Sequence, residues 1–214
     1  MKPLVIVQAR SGSSRFPRKV LADIHGRPML AHVIERAKQI RHTSSVMLAT
    51  STLITDDPVA AVGASCGVWV WRGSEIDVLD RFYQCALASA AESVARITGD
   101  CPLLDPDISS GIVEAYLAGG YEYVSNVGRG TDGWDTECFS FRWLRRAWVH
   151  ARGGADREHV TTWIRAHLSL GLALTKIERT IPGGAKWSVD TEEDLERVRA
   201  VVHETETRME GAIA

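Results

Sequence analysis

Short apolar runs and amphipathic helical patterns alternate along most of the chain. Four apolar or β-branched runs have the length of a buried strand: residues 4–7, 46–49, 68–71 and 94–98. Between them, apolar residues recur at three- and four-residue spacing and predict helices that begin near Pro28, Asp57, Asp77 and Pro106. This alternation is typical of a parallel sheet covered by helices. We therefore predict an α/β fold with a mostly parallel sheet flanked by helices.

The chain changes character after residue 128. Residues 128–133 are rich in glycine and predict a flexible connection, whereas residues 134–139 alternate polar and apolar side chains like a half-exposed strand. Helical patterns follow at residues 144–151 and 156–168. We predict one domain over residues 1–214, in which residues 128–185 cover the functional site or make a dimer contact.

Composition narrows the range of functions. The 214 residues carry 25 Lys and Arg against 27 Asp and Glu, a formal net charge of −2, which speaks against broad binding to nucleic acid or a membrane surface. No apolar stretch approaches the ~20 residues of a membrane span, and the first apolar run is too short for a signal peptide. The four cysteines are far apart and form no Cys-x-x-Cys pair, as is typical of reduced thiols. We expect a soluble, cytoplasmic protein.

A basic loop directly follows the first predicted strand. It contains Arg10, Arg15, Arg18 and Lys19, and no acidic residue precedes Asp23. A buried strand that ends in a small-residue turn leaves backbone N–H groups free, and these cations add positive charge around them, which suits phosphates. The loop matches neither the Walker spacing nor the Gly-x-Gly-x-x-Gly fingerprint, which speaks against a P-loop or NAD-binding protein. The alternative interpretation is a solvated basic loop beside the core.

Two aspartates follow predicted strands. Asp100 comes directly after the run at residues 94–98, and Asp190 follows a predicted strand at residues 186–189 and precedes the helix-capping sequence at residues 191–194. Ligands of open α/β sheets bind outside the carboxyl ends of the strands. Two carboxylates there could share Mg²⁺ with a triphosphate, although each alone is also explained as an ordinary turn or cap residue.

Several segments together resemble a known family. Residues 7–19, 96–103 and 189–196 are similar to the bacterial cytidylyltransferases that make CMP-activated acidic sugars, most of all to the spore-coat polysaccharide branch; residues 71–83 and 156–161 also resemble that branch. The resemblance spans nearly the whole chain. It implies a Rossmann-like sheet of the nucleotide-diphospho-sugar transferase type, CTP as donor, Mg²⁺ as cofactor and a homodimer. Where acidic-sugar synthetases often have Gln-Gly-Asp-Glu-Pro, this chain has Thr-Gly-Asp-Cys-Pro at residues 98–102.

The resemblance also implies roles for individual residues. Arg10 and Lys19 would hold the triphosphate, Asp100 and Asp190 would bind Mg²⁺, and these four are the candidate catalytic residues. Arg72 and Ser74 would lie near the nucleoside. The full set of candidate substrate-binding residues is Ala9, Ser11, Gly12, Ser13, Arg15, Arg72, Ser74, Thr98, Asp135, Glu137, Arg157 and His159. An oxygen of a small acidic acceptor would attack the α-phosphorus of CTP in line, and pyrophosphate would leave.

The acceptor is the open question at this stage. Arg157 and His159 are the cations available for an acidic acceptor in the segment expected to cover the site, and they are equally explained by a solvated helix start or a dimer salt bridge. A second hypothesis keeps the enzyme class but uses another nucleotide, or transfers the nucleotidyl group to a phosphonate or a sugar phosphate. A third is a catalytically silent nucleotide-binding scaffold.

Overall fold

The computed structural model describes residues 1–128, 131–168, 172–174 and 186–211. The strands in chain order are β1 (Leu4–Gln8), β2 (Asp23–Ile24), β3 (Arg27–Pro28), β4 (Val46–Ser51), β5 (Trp69–Gly73), β6 (Ser93–Thr98), β7 (Tyr123–Ser125), β8 (Glu137–Ser140) and β9 (Leu172–Leu174). Within the described residues, seven strands form one sheet in the order β5-β4-β1-β6-β8-β7-β9, and β2 pairs with β3. Only β8 of these seven runs antiparallel to its neighbours, so the predicted mostly parallel sheet is confirmed.

Helices cover both faces of this sheet. They are α1 (Met29–Ala37), α2 (Asp57–Ser65), α3 (Val78–Ala88), α4 (Pro106–Leu117), α5 (Phe141–His150), α6 (Gly154–Glu158), α7 (Thr162–His167) and α8 (Glu192–Gly211). Alternate residues of a strand point to opposite faces, and β1 shows it: Val5 and Val7 pack with α1, α4 and α8, whereas Leu4 and Ile6 pack with α3, α5 and α7. Because both faces are covered, residues 4–7 of β1 are all apolar, and the strand ends at the polar Gln8.

Local signals place several helix starts correctly. The Asp77 carboxylate accepts the N–H of Asp80 at 2.8 Å and caps α3. Asp105 accepts the N–H groups of Asp107 and Ile108 and caps α4, whose first residue is Pro106. The predicted helices at Pro28, Asp57, Asp77 and Pro106 are therefore confirmed. Among the described residues, no helix is both long and apolar enough to span a membrane.

Three predictions in the second half are wrong. Residues 186–189 are not a strand; they are held by single backbone hydrogen bonds to other loops. The half-exposed strand at residues 134–139 is instead β8, which is inserted between β6 and β7 and buried over Glu137, Cys138 and Phe139. The helix predicted at residues 156–168 is divided into α6 and α7. The segment 128–185, predicted to cover the site or form a dimer contact, lies partly outside the described residues.

Candidate active site

A cleft of about 320 Å³ lies at the carboxyl ends of β1 and β6. Its walls combine the basic loop after β1, the turn after β6, Asp190 from the loop that precedes α8, and one side chain each from α3 and α6. The lining residues are Gln8, Ala9, Arg10, Gly12, Ser13, Ser14, Arg15, Lys19, Val20, Arg81, Thr98, Gly99, Asp100, Glu158 and Asp190. The structure thus brings together the basic loop and both predicted aspartates, as expected for strand ends of a parallel sheet.

A buried carboxylate holds the basic loop in place. Asp56, which is 1% exposed, accepts the backbone N–H of Ser11 at 2.6 Å and the hydroxyl of Ser51. Burial alone would raise the pKa of Asp56, but these hydrogen bonds outweigh it and the pKa is lowered. The carbonyl oxygen of Ser11 then accepts the N–H groups of Ser13 at 3.0 Å and Arg18 at 2.9 Å, so the loop closes on itself. Asp56 therefore carries a negative charge that fixes the loop backbone.

Some backbone N–H groups of the basic loop have no hydrogen-bond partner among the described residues. None of the hydrogen bonds among the described residues uses the N–H of Gly12, Ser14 or Arg15. Gly12 and Ser14 are exposed at the cleft wall. Unpaired N–H groups in a closed turn form a concavity that binds anions.

Lys19 joins the two predicted metal ligands. Its ammonium group lies 2.8 Å from Asp100 Oδ2 and 3.0 Å from Asp190 Oδ1, and it donates to the carbonyl oxygen of Val189 at 2.7 Å. Burial would lower the pKa of Lys19, but the two carboxylates outweigh it and the pKa is raised. Lys19 is therefore charged, and it holds Asp100 and Asp190 within reach of one small group.

Asp190 lies at the cleft although it does not follow a strand. The N–H of Val189 donates to the carbonyl oxygen of Asp100 at 2.9 Å, and the N–H of Trp187 donates to that of Asp132 at 2.8 Å. Gly133 adopts φ +99°, and a Cβ there would lie 2.5 Å from the backbone of Trp187 and Ser188. This close approach of two loops therefore requires glycine.

Further ion pairs surround Asp190. Lys186 Nζ lies 2.8 Å from Asp190 Oδ2 and 3.0 Å from Asp194 Oδ2, and Arg15 lies 3.2 Å from Asp190 Oδ1. Burial would raise the pKa of Asp190, but Lys186 and Lys19 outweigh it and the pKa is lowered. Asp190 is thus ionised, as a metal-binding carboxylate must be.

Arg10 reaches across the cleft. Its Nη1 donates to the carbonyl oxygen of Glu75 at 3.0 Å, and its Nη2 lies 3.7 Å from Glu158 Oε1. Both contacts are weak for a guanidinium, and the side chain is 30% exposed. Arg10 is therefore available to a phosphate, since Arg binds two phosphate oxygens at once.

Other predicted site residues lie away from the cleft wall. Arg72 donates to the carbonyl oxygens of Ser51 and Leu53 and pairs with Asp57 at 2.6 Å, so its guanidinium faces the loop before α2. The hydroxyl of Ser74 accepts the N–H of Asp77 at 3.0 Å. Neither residue lines the cleft. Their predicted contact with the nucleoside therefore stays a prediction.

The predicted acceptor residues are also engaged elsewhere. Glu137 is 2% exposed and accepts hydrogen bonds from Arg96, Tyr123 and Thr161, which keep its pKa low despite complete burial. Arg157 Nε lies 2.9 Å from Asp77 Oδ2, and its Nη1 donates to the carbonyl oxygen of Trp148.

Asp135 and His159 likewise do not line the cleft. Asp135 is half-buried near Asp132 and Glu137; burial first, and then these two acids, raises the pKa of Asp135 to about 6. His159 is exposed, and from this stretch it is its neighbour Glu158 that reaches the cleft.

Six cleft residues were absent from the sequence-based site: Gln8, Ser14, Val20, Arg81, Gly99 and Glu158. Gln8 ends β1, and its side-chain oxygen accepts a hydrogen bond from Arg96 Nε at 3.3 Å. Arg81 is 1% exposed on α3. A sequence signal for Arg81 exists, since residue 81 lies three positions after Val78 and four before Cys85, on the apolar face of its helix. A cation on such a face indicates a buried ion or ligand contact.

The carboxylates suit a divalent cation that is completed by substrate. No group of three or more His, Cys, Asp or Glu side chains with metal-binding geometry occurs in the described part of the chain. Asp100 and Asp190 do converge on one ammonium group. Mg²⁺ commonly takes one or two carboxylates and completes its shell with phosphate oxygens and water. These residues therefore fit Mg²⁺ in the presence of a triphosphate.

Comparisons with known proteins show the family of the chain. The family model "Cytidylyltransferase" matches residues 4–181. The spore coat polysaccharide biosynthesis protein SpsF of Bacillus subtilis is 32% identical over 92% of this chain and 85% of its own length. A 3-deoxy-manno-octulosonate cytidylyltransferase of Anaeromyxobacter dehalogenans is 31% identical over 96% of this chain and 87% of its own.

A solved structure supports the same conclusion. A cytidylyltransferase from Leptospira borgpetersenii superposes with a TM-score of 0.89 and 27% identity, over 95% of this chain and 87% of that one. The predicted nucleotide-diphospho-sugar transferase fold and the predicted family are confirmed. The chain belongs to the cytidylyltransferases, the nucleotidyltransferases that use CTP.

Proposed function

We propose that this chain transfers CMP from CTP to an acidic sugar and releases pyrophosphate in a Mg²⁺-dependent reaction. The observation that carries the proposal is the convergence of Lys19, Asp100 and Asp190 at one end of a cleft walled by a basic loop. The acidic-sugar acceptor is supported by the relative from Anaeromyxobacter dehalogenans, which is a 3-deoxy-manno-octulosonate cytidylyltransferase. A cytoplasmic location and a homodimer stay predictions.

The basic loop supplies the binding site for the triphosphate. Arg10 and Arg15 bring guanidinium groups to the cleft, and the free N–H groups of Gly12 and Ser14 lie beside them. Charge builds up on the leaving pyrophosphate as the bond to the α-phosphorus breaks, and donors fixed before the reaction stabilise that charge. Lys19 would exchange its carboxylate partners for phosphate oxygens when the nucleotide enters.

Asp100 and Asp190 would hold the Mg²⁺. When bound, the cation would polarise the α-phosphate and help to orient the acceptor. Lys186 and Lys19 lower the pKa of Asp190, and Lys19 also lies beside Asp100, so charged groups are in place before any ligand arrives. Preformed charge of this kind lowers the reorganisation that the reaction requires.

The acceptor would enter from the side of α6. Glu158 of that helix lines the cleft, while Arg157 is committed to Asp77, and His159 is exposed beside them. Among the predicted cations of this segment, His159 is therefore the one free to meet an acidic acceptor without breaking an ion pair.

Pyrophosphate release tests the proposal directly. The protein is incubated with CTP, UTP, GTP, ATP or dTTP, Mg²⁺ and a panel of 3-deoxy-octulosonate, nonulosonates, phosphonates and sugar phosphates. We expect release with CTP and an acidic sugar only, and none with EDTA. Lys19→Ala should abolish release, whereas Lys38→Ala, which removes a lysine of an exposed pair with Glu35, should not. Release with a phosphonate or a sugar phosphate instead would refute the acceptor class, and no CTP binding at all would refute the function.

A further inference from the structure

Arg81 is a buried cation with an unused hydrogen-bonding edge. Its Nη1 donates to the carbonyl oxygen of Ser74 at 2.7 Å. Its Nε and Nη2 atoms are buried and have no hydrogen-bond partner among the residues that the structure describes. These two atoms form one edge of the planar guanidinium, where two N–H bonds run parallel. An unsatisfied donor pair on a residue 1% exposed is costly unless a ligand completes it.

Arg81 packs closely against the end of β5 and lines the cleft. A Cβ on Gly73, the last residue of β5, would lie 3.0 Å from Arg81 Cγ and 3.3 Å from Arg81 Cα. Glycine therefore allows α3 to approach the strand end closely, and Arg81 becomes part of the cleft wall. The local geometry holds the guanidinium still, with one nitrogen already bound to Ser74.

Among the described residues, no acidic side chain forms a hydrogen bond with this guanidinium. Burial, and then the neighbouring Arg10 charge, lowers the pKa of Arg81 to about 10, and Asp56 and Glu75 offset only part of this. The Asp56 carboxylate is already occupied by Ser11 and Ser51. Arg81 is still a cation at neutral pH, so its two unpaired N–H groups are strong donors beside the cleft that the residue lines.

Arg81 and the predicted metal ligand Asp100 lie beside the ends of different strands. Arg81 packs on the end of β5, and Asp100 follows β6, which is three strands away in the sheet. Strands are about 4.8 Å apart, so the two strand ends are separated by about 14 Å. A nucleoside triphosphate whose phosphates meet Lys19, Asp100 and Asp190 can span this distance, and its base then lies at the Arg81 end.

We propose that Arg81 reads the base of the bound nucleotide by donating its Nε–H and Nη2–H bonds to N3 and O2 of cytosine. This inference rests on the proposed use of CTP. Cytosine presents N3 and O2 as two adjacent acceptors, whereas uracil presents an N3–H donor beside O2. A fixed pair of donors thus accepts cytosine and meets a donor on uracil. Because the nitrogens are shielded from solvent, water competes little for them.

Nucleotide binding by titration calorimetry, in the presence of Mg²⁺, tests the inference. The ligands are CTP, UTP, GTP and 3-deaza-CTP, in which a C–H replaces the N3 acceptor. We expect the unmodified protein to bind CTP about 10- to 100-fold more tightly than UTP or 3-deaza-CTP, the range for one bidentate arginine contact. In Arg81→Lys, which keeps the charge and loses the parallel donors, CTP affinity should fall to that of UTP. Affinity for UTP and 3-deaza-CTP should change little.

Arg36→Lys is the control, because Arg36 is half-buried, donates to the carbonyl oxygen of Leu104 and lies outside the cleft. It should keep the preference for CTP. Equal weakening of all nucleotides by Arg81→Lys would assign Arg81 to phosphate, and an unchanged CTP preference would assign it a packing role; both refute base reading.

The unmodified protein distinguishes a failure of this inference from a failure of the proposed function. If Arg81→Lys does not fold, judged by circular dichroism, the unmodified protein still decides: equal affinity for CTP and 3-deaza-CTP would refute the contact to N3. GTP binding as tight as that of CTP would refute selection of cytosine. Failure of the unmodified protein to bind any nucleotide would refute the proposed function, and base reading with it.

Discussion

The backbone N–H of Val189 donates to the carbonyl oxygen of Asp100 at 2.9 Å and sets the two candidate metal ligands side by side. Asp100 follows the central strand β6, whereas Asp190 lies in a loop that belongs to no strand. Their relative position therefore depends on loop contacts, chiefly those between Gly133 and the backbone of Trp187 and Ser188.

Gly133→Ala should displace the loop that carries Asp190. A Cβ would meet backbone atoms at 2.5 Å, so the cost should exceed the ~1–3 kcal/mol of a strained backbone alone. Gly120→Ala is the control, because Gly120 has a similar φ of +88° and no atom within 4 Å of its Cβ position. Thermal unfolding with and without CTP and Mg²⁺ measures both effects. Equal losses of stability, with CTP stabilisation kept in both variants, would contradict this reading of the loop.

Asp190→Asn should reduce pyrophosphate release at least about 100-fold and raise the Mg²⁺ concentration needed for half-maximal activity. The amide keeps the shape but is a poorer ligand for Mg²⁺ and a poorer partner for Lys19. Activity against Mg²⁺ concentration is the measurement. Glu193→Gln, an exposed acid in the first turn of α8, serves as the control and should leave the Mg²⁺ dependence unchanged. A wild-type Mg²⁺ profile for Asp190→Asn would remove Asp190 from the metal site.

Local signals predicted the sheet and the early helices, while contacts between distant segments decided the rest. The cap at Asp105 and the apolar run of β1 are properties of a few adjacent residues, and both are confirmed. Residues 186–189 resemble a short strand, but they pair with none of the strands that the structure describes. The insertion of β8 between β6 and β7 depends on partners that periodicity does not reveal.

The candidate site was likewise predictable where it depends on local sequence signals, and not where it depends on contacts between distant segments. Asp100 was predicted because it follows a strong strand signal, and Lys19 because it belongs to the basic loop that resembles the family; the two side chains do meet in the cleft. Glu137 was expected at the substrate, yet its buried network with Arg96, Tyr123 and Thr161 forms only when β6, β7, β8 and the chain before α7 come together. Arg81 was not predicted as a site residue because the helical periodicity assigns its apolar neighbours, and hence this face of the helix, to the core.

Glu137→Gln should destabilise the fold by about 3 kcal/mol, because it leaves the largely buried Arg96 without a counter-charge. The pKa of Glu137 is lowered in the folded protein. Its contribution to stability is therefore present above its unfolded pKa and is lost as the pH falls. Chemical denaturation at pH 7 and pH 4 measures the difference between the variant and the parent, which should shrink at the lower pH.

Glu122→Gln is the surface comparison for Glu137→Gln. Glu122 pairs with Arg142, whose side chain is 67% exposed, so the loss should be at most about 1 kcal/mol. Similar costs for the two variants would show that the Glu137 network adds nothing beyond an exposed ion pair.

Asp135→Asn should have the opposite pH dependence. Burial, and then the charges of Asp132 and Glu137, raises the pKa of Asp135 to about 6. A raised folded pKa means that Asp135 contributes stability below its unfolded pKa, near 3.9, and that this contribution is lost as the pH rises through 6. At pH 7.5 the carboxylate is ionised in a half-buried site next to two acids, which is unfavourable. The neutral amide removes that penalty, so the variant should be more stable than the parent by about 1–2 kcal/mol at pH 7.5 and similar to it at pH 4.

Denaturant titrations at both pH values provide the Asp135 measurement, and Asp132→Asn gives an independent check. Removal of the exposed Asp132 charge should lower the pKa of Asp135, because that charge is one of its causes. At pH 7.5, Asp132→Asn should therefore show part of the stability gain that is expected for Asp135→Asn. The same Asp132→Asn change should add no stability to a protein that already carries Asp135→Asn. Additive gains in the double variant would mean that the two carboxylates do not interact, and a loss of stability in Asp135→Asn at pH 7.5 would mean that its charge is paired.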